Sequence, residues 1–203
     1  MPCWPPDFRA DGRIVRLEPL SPDHRAGLAE AAADGDLQAL WYTTVPAPEA
    51  MAAEIDRRLA LRTRGSMLPF TVFEAKSGRV AGMTTYMNID AANRRLEIGS
   101  TWTRASVQRT GLNTEAKRLL LGHAFEALDC IAVEFRTHVM NRQSRAAIER
   151  LGAKLDGILR AHMILPNGTL RDTAVYSVTA AEWPAVKANL GFLLRRGRPG
   201  EFD

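Results

Sequence analysis

The chain has 203 residues, 46% hydrophobic and 25% charged, the proportions of an ordinary globular domain long enough to bury a substantial core. Its formal net charge is +4, and its two cysteines, Cys3 and Cys130, are too few for a disulfide framework or a structural zinc site. No run of about 18 apolar residues is present to cross a membrane as a helix, and Met1-Pro-Cys-Trp-Pro-Pro-Asp7 lacks the basic and apolar regions of a signal peptide, so a cytoplasmic location is expected.

Part of the positive excess is local. Arg195, Arg196 and Arg198 lie in a tail, residues 195–203, that also holds glycine and proline, whereas most other arginines are interspersed with acids. That distribution describes a solvated surface with a basic end more than a nucleic-acid face. Mild positive charge would also steer a polyanionic ligand towards the protein.

Residues 1–12 are punctuated by proline and glycine and are expected to be loosely attached. Residues 13–20 alternate like a strand; Ser21 then caps a helix that has Pro22 in its first turn and runs to about residue 33. An aromatic loop, Leu40-Trp41-Tyr42-Thr-Thr44, precedes a second helix over residues 46–64, with Met51, Ile55, Leu59 and Leu61 along it. Residues 68–74 and 80–89 form a meander through the Lys76-Ser-Gly78 turn, and residues 90–94 turn into a further strand, 95–102. A helix over residues 113–128 leads to a β-branched strand, 131–139, and then to a helix, 144–151, closed by Gly152. Two strands, 157–164 and 169–178, flank the hairpin turn Pro166-Asn-Gly168, and a helix over residues 180–194 closes the domain without internal repeats. The order β, α, α, β, β, β, α, β, α, β, β, α predicts one α/β domain over residues 13–194. Its antiparallel strands join through a βαβ unit to further strands, with helices on both faces.

The segment Gln108-Arg-Thr-Gly111-Leu-Asn-Thr-Glu-Ala-Lys117 is the most informative in the chain. It puts a glycine turn between the strand at 95–102 and a helix whose Ala116, Leu119, Leu120, His123, Ala124 and Leu128 fall at three- and four-residue spacing. A helix entered this way directs unpaired backbone N–H groups and the positive end of its dipole at one point. Phosphate binds there without a basic side chain. Many strand-to-helix turns bind nothing, so the turn alone does not decide.

This order of elements, the 108–114 turn and the later Asn141-Arg-Gln-Ser144 segment resemble the GNAT superfamily of acyl-CoA-dependent N-acyltransferases. The nearest likeness is to the branch of ribosomal-protein N-terminal acetyltransferases of the RimJ/RimL type. The family's pyrophosphate loop, Gln/Arg-x-x-Gly-x-Gly/Ala, stands here as Gln108-Arg-Thr-Gly111-Leu-Asn113, with asparagine in place of the last small residue. Supporting pieces are Leu96-Glu-Ile-Gly-Ser-Thr-Trp102, the Leu151-Gly152 pair after Asn141 and Ser144, Leu159-Arg-Ala-His162, and Glu182-Trp-Pro184; the likeness covers residues 12–194. It implies a mixed central sheet of about seven strands, splayed in the middle, and acetyl-CoA as cosubstrate with no metal.

The resemblance also implies roles. The pyrophosphate would meet the backbone amides of Arg109, Thr110, Gly111, Leu112, Asn113 and Thr114, with Gln108 and Arg109 adding side-chain donors. The pantetheine arm would lie along the strand ending at Thr101 and Trp102, and a backbone N–H near a bulge at Thr101, Trp102 or Thr103 would hold the developing oxyanion. Asn141 would bond the arm and Ser144 would approach the sulfur, although both equally suit a helix cap. Glu97 is the candidate base, the alternative being a surface carboxylate paired with Arg94 or Arg95. The tyrosine acid of many family members is replaced here by Ile148, which leaves Ser144 as its substitute.

The acceptor pocket draws on Trp41, Tyr42, Tyr86 and Trp102, any of which instead suits the core. Arg160 either pairs with Asp172 across the last hairpin or points at the acceptor; it is also the arginine nominated to meet a succinyl donor. His123 falls on an apolar helix face and reads as a core histidine, while His138 and His162 lie on strands without metal-ligand spacing. Two functions follow. One is an N-acetyltransferase acting on a primary amine, a protein N-terminus or a small molecule. The other is a non-catalytic acyl-CoA sensor or a ribosome- or RNA-associated binding protein, which the missing tyrosine would favour. A homodimer is the family's habit.

Overall fold

The computed structural model describes residues 4–196. Among them, eight strands form one sheet in the order β1-β2-β3-β4-β5-β6-β8-β7. They are β1 Ala10–Asp11, β2 Val15–Pro19, β3 Met67–Glu74, β4 Val80–Asp90, β5 Arg95–Thr103, β6 Ala132–His138, β7 Lys154–Ile164 and β8 Leu170–Thr179. Every pairing is antiparallel except β5 with β6. That single parallel pair needs a crossover, and α3 (Leu112–Gly122) supplies it. The remaining helices are α1 (Arg25–Ala33), α2 (Met51–Thr63), α4 (Arg142–Leu151) and α5 (Trp183–Arg195).

β3 is apolar over nearly its whole length because both of its faces are covered. Alternation sends Phe70 and Val72 to a core with Tyr86, Leu96, Ile98 and the α3 residues Leu112, Ala116 and Leu120. Phe73 goes to the opposite core, with Leu28 and Ala32 of α1, Met51 and Ile55 of α2, and Trp102. The α3 helix continues into a wider π turn, His123–Ala127, before β6. Gly152 ends α4 at φ 103°, the left-handed conformation that glycine adopts without a Cβ penalty.

Two expectations change. The sheet has eight strands, not about seven, because β1 lies inside the segment expected to be loose. From Trp4 onward that segment belongs to the domain: the Phe8 ring stacks on His123 at 3.6 Å and meets the edge of Phe70 at 5.0 Å. Its aromatic content, not its prolines and glycine, decides its fate. Of the basic tail, α5 takes up Arg195, and residues 197–203 lie outside the described residues.

Candidate active site

β5 and β6 pair only at Arg95–Ala132, Leu96–Val133 and Glu97–Glu134, then continue apart to Thr103 and His138. A bulge accompanies the separation. Thr85 faces Gly99 and Met83 faces Trp102, so β5 carries one extra residue, and Ser100 sits at φ +50°. Arg58, buried on α2, holds this point by donating to Thr85 Oγ1 (2.7 Å) and Ser100 Oγ (3.0 Å), while Glu54 neutralises it at 2.6 Å. The bulge therefore falls at Ser100–Thr101, at the start of the 101–103 position expected. β6 meanwhile stays paired with β8 as far as His138. The β5 backbone beyond Glu97 thus faces the gap without a β6 partner, an edge that suits an amide-bearing chain.

The gap opens towards the turn before α3. Arg104 anchors the start of that turn: its Nε meets Asp34 Oδ2 at 2.6 Å, one Nη meets Glu30 at 3.0 Å, and the other donates to the Val80 carbonyl at 3.1 Å. Gln108 Nε2 donates to the Thr103 carbonyl (3.0 Å) and Thr110 Oγ1 to the Val107 carbonyl (2.7 Å), so both side chains brace the turn itself. That bond uses one N–H of the Gln108 amide, and the expected donation to a ligand falls to the other. Arg109 is exposed at φ +63°. Leu112 is core, which leaves only its backbone for a ligand.

The first intrahelical bond of α3 runs from the Glu115 N–H to Gly111 O, so the amides of Leu112, Asn113 and Thr114 precede the ladder at the positive end of the dipole. Glu115 fixes this mouth in space. Its carboxylate accepts the N–H groups of Arg13 (3.1 Å), Ile14 (2.6 Å) and Val15 (2.9 Å), tying the helix to the start of β2.

Glu97 is not a surface partner of Arg94 or Arg95. It is 4% exposed, accepts from Asn88 Nδ2 at 2.6 Å and lies 3.5 Å from Arg136 Nε. Burial raises its pKa above the ordinary carboxylate range, partly offset by Asn88 and Arg136. Further along the same face of β6, His138 Nδ1 accepts the Met140 N–H at 3.1 Å, which leaves the buried Nε2 without a partner. Trp41 and Tyr42 lie against this imidazole at ring distances of 5.4 and 5.9 Å. Burial, with Arg171 second, lowers its pKa and keeps it neutral.

Three expected acceptor residues are elsewhere. Tyr86 is fully buried under α3, where its hydroxyl donates to the Leu120 carbonyl at 2.5 Å. Trp102 points its indole into the α1–α2 core. Arg160 is spent on Asp172 (2.7 Å) in solvent. On the far wall of the gap, Asn141 Oδ1 caps α4 by accepting the Ser144 N–H at 2.9 Å. The Ser144 hydroxyl makes no hydrogen bond within the described residues. Ile148 is core.

The amino-acid sequence matches the family described as Acetyltransferase (GNAT) domain over residues 15–154. The chain belongs to the GNAT acetyltransferase family. Among relatives, YdaF of Bacillus subtilis (strain 168), provisionally named a ribosomal N-acetyltransferase, is 36% identical over 110 residues, which are 54% of this chain and 59% of YdaF. A GCN5-related N-acetyltransferase from Brucella melitensis, 36% identical, superposes with a TM-score of 0.80 over 94% of this chain and 86% of its own. An acetyltransferase of T. thermophilus, also provisionally assigned, gives 34% identity and a TM-score of 0.81 over 94% of this chain and 99% of its own.

Within this GNAT domain, sequence reasoning missed Arg58, Arg136 and Lys117. Lys117 sends its ammonium under the sheet to Thr84 Oγ1 (3.0 Å) and Thr101 Oγ1 (2.8 Å). Its signal was legible: it precedes Leu120, Leu121 and Ala124 at three, four and seven residues, in the buried stripe of α3. A hollow of about 450 Å³ is lined by Arg95, Glu134, Arg136, Asp156 and Leu159, of which Arg136 also approaches Glu97. Another of about 470 Å³, between Trp4, Leu59, Arg62 and Met67, lies apart from all these groups.

Proposed function

We propose that the protein transfers an acetyl group from acetyl-CoA to a primary amine by direct attack on the thioester. One observation carries this reading: a strand pair that ends at Glu97–Glu134 opens a gap with a helix mouth at one side and a buried carboxylate at its apex. The residues fit the cosubstrate. The Asn113 and Thr114 amides would hold its diphosphate, the Leu112 N–H being donated to Thr110 Oγ1 at 3.3 Å, and the unpaired edge of β5 its amide arm. The cosubstrate supplies an activated acyl group; the remaining chemistry falls to the side chains.

Glu97, with its raised pKa, is suited to take a proton from an ammonium through water or directly, because only the neutral amine attacks. The Ser144 hydroxyl faces the role of returning a proton to the thiolate, and the backbone at the Ser100 bulge that of holding negative charge on the acyl oxygen. Trp41, Tyr42 and the unpartnered Nε2 of His138 would frame the acceptor. A protein N-terminus and a small amine both have a neutral –NH2 to offer; YdaF is named for ribosomal N-acetylation, which favours the first. Arg160 is engaged by Asp172, which favours acetyl over a dicarboxylic donor. The exposed edge strand β7, with Leu155, Leu159, Met163 and Ile164 in solvent, supports a homodimer. No described helix is long and apolar enough to cross a membrane, and a cytoplasmic location is the reading we adopt.

The test measures CoA thiol release from acetyl-CoA with a panel of amines and N-terminal peptides, in parallel with CoA binding. Turnover that vanishes in Glu97→Gln while CoA still binds supports the transferase; CoA binding without turnover on any amine points to a sensor.

A further inference from the structure

Among the buried basic side chains, Arg58 and Arg104 are matched by carboxylates, Glu54 for the first and Asp34 with Glu30 for the second. Lys117 is not. It is 5% exposed, and its hydrogen-bond partners are two hydroxyls, Thr84 on β4 and Thr101 on β5, themselves joined at 2.8 Å. Thr101 also contacts the Gly99 carbonyl at 3.4 Å, so the ammonium sits behind the bulge. A buried cation is costly unless a countercharge meets it.

Its position indicates which countercharge. Lys117 is five residues past Leu112, about 7.5 Å along the axis. Helical side chains lean back towards the N-terminus, which brings the ammonium to the level of the first turn. Two charged groups on the neighbouring turns of α3 and α4 are bound elsewhere. Glu115 of α3 is held by the amides of residues 13–15, and Arg150 of α4 donates to Thr114. Tyr86 of β4 stays protonated because burial raises its pKa. Burial alone lowers the Lys117 pKa to about 7, with no charged neighbour contributing.

Resting on the acyl-CoA reading above, we propose that Lys117 is the counter-charge of the cosubstrate site: its amine takes a proton from the buffer as the diphosphate binds, and the ammonium so formed stabilises that diphosphate at the mouth of α3. Unlike the turn amides, this charge is fixed beneath the sheet and shielded from salt. It makes CoA affinity a function of pH: binding weakens as pH rises above about 7, because the empty site must first be protonated.

Calorimetry of CoA binding to the intact chain at pH 8, in HEPES and in Tris, tests this through the buffer dependence of the heat. Phosphate monoesters are fully ionised at that pH and contribute little. Wild type should take up roughly 0.4–0.8 proton per CoA, as expected for a tenfold to hundredfold electrostatic gain. Pantetheine, which lacks the diphosphate, should give none, and uptake on CoA binding should disappear near pH 6. Lys117→Met should abolish the uptake and weaken CoA by about tenfold to a hundredfold at pH 6. CoA binding by wild type at pH 8 with no proton uptake, or uptake unchanged in Lys117→Met, overturns the proposal while leaving the acyl-CoA reading in place. Failure of wild type to bind CoA at all removes both. The wild-type comparison requires no variant to fold.

Discussion

Asn88 donates to Glu97 at 2.6 Å from β4, across the strand pair that flanks the splay, so the buried carboxylate is held by a neutral amide while Arg136 stays at 3.5 Å. A carboxylate gripped this way keeps its pKa high, since burial outweighs the help that its neighbours give the charged form. The acid limb of kcat/KM should consequently lie above the ordinary carboxylate range. Activity falls as pH drops through that pKa, because protonated Glu97 can no longer accept a proton. Glu97→Gln should lower kcat by about 10²–10⁴ and flatten the limb. A limb of unchanged position in the variant would assign the titration to another group.

The Glu115 carboxylate gathers three backbone N–H groups from residues 13–15, and Gly12 packs so close that a Cβ there would meet Glu115 Oε2 at 2.4 Å. Glu115→Ala leaves those donors in a buried site without an acceptor. The expected loss is about 2–4 kcal/mol in urea unfolding, together with weaker CoA binding as the helix mouth loosens. A variant as stable as wild type would mean that water replaces the carboxylate.

Much of this molecule was readable before its fold was known, because local chemistry and tertiary packing agree over most of the chain. The Pro22 and Gly152 helix boundaries and the Asn167-Gly168 hairpin turn appear where residue types demanded them. The misreadings came from residues whose role depends on a distant partner. Phe8 ties down a segment whose prolines and glycine signalled looseness, because His123 and Phe70 wait for it far along the chain. Tyr86 and Trp102 alternate along strands covered on both sides, so aromatic character alone did not tell core from pocket. Asn141 does cap a helix, as its residue type allows, and whether it also meets a ligand is a question local sequence leaves open.

Trp41 is 49% exposed and lies against His138, whereas Tyr86 is sealed beneath α3. The two should therefore respond differently. Trp41→Ala should raise the acceptor KM several-fold with CoA affinity unchanged. Tyr86→Phe should leave the acceptor KM untouched and cost about 1 kcal/mol of stability through its lost hydrogen bond to Leu120. Steady-state kinetics paired with thermal melts separates the two outcomes; equal effects on acceptor KM would restore Tyr86 to the pocket.

Lys117 also leaves a mark on the apo protein. Its folded pKa, about 7, lies below the unfolded value near 10.5, so between those limits the unfolded chain binds more protons. Stability from this group therefore rises with pH across that window, and at pH 7 and below its full penalty is present. Lys117→Met should make the apo protein about 2–4 kcal/mol more stable at pH 7, with the difference shrinking by pH 10. Urea titrations of both proteins across this range measure it, and a variant less stable at pH 7 would show the ammonium to be well compensated.

The central claim is that the α3 mouth and the open edge of β5 together receive one CoA molecule. Backbone amide shifts recorded while CoA is titrated into the labelled protein test it most directly. The account predicts the largest changes at Asn113 and Thr114 and along residues 98–103, saturating together with one affinity. Saturable shifts confined to other regions, such as the hollow beside Trp4 and Arg62, would contradict it.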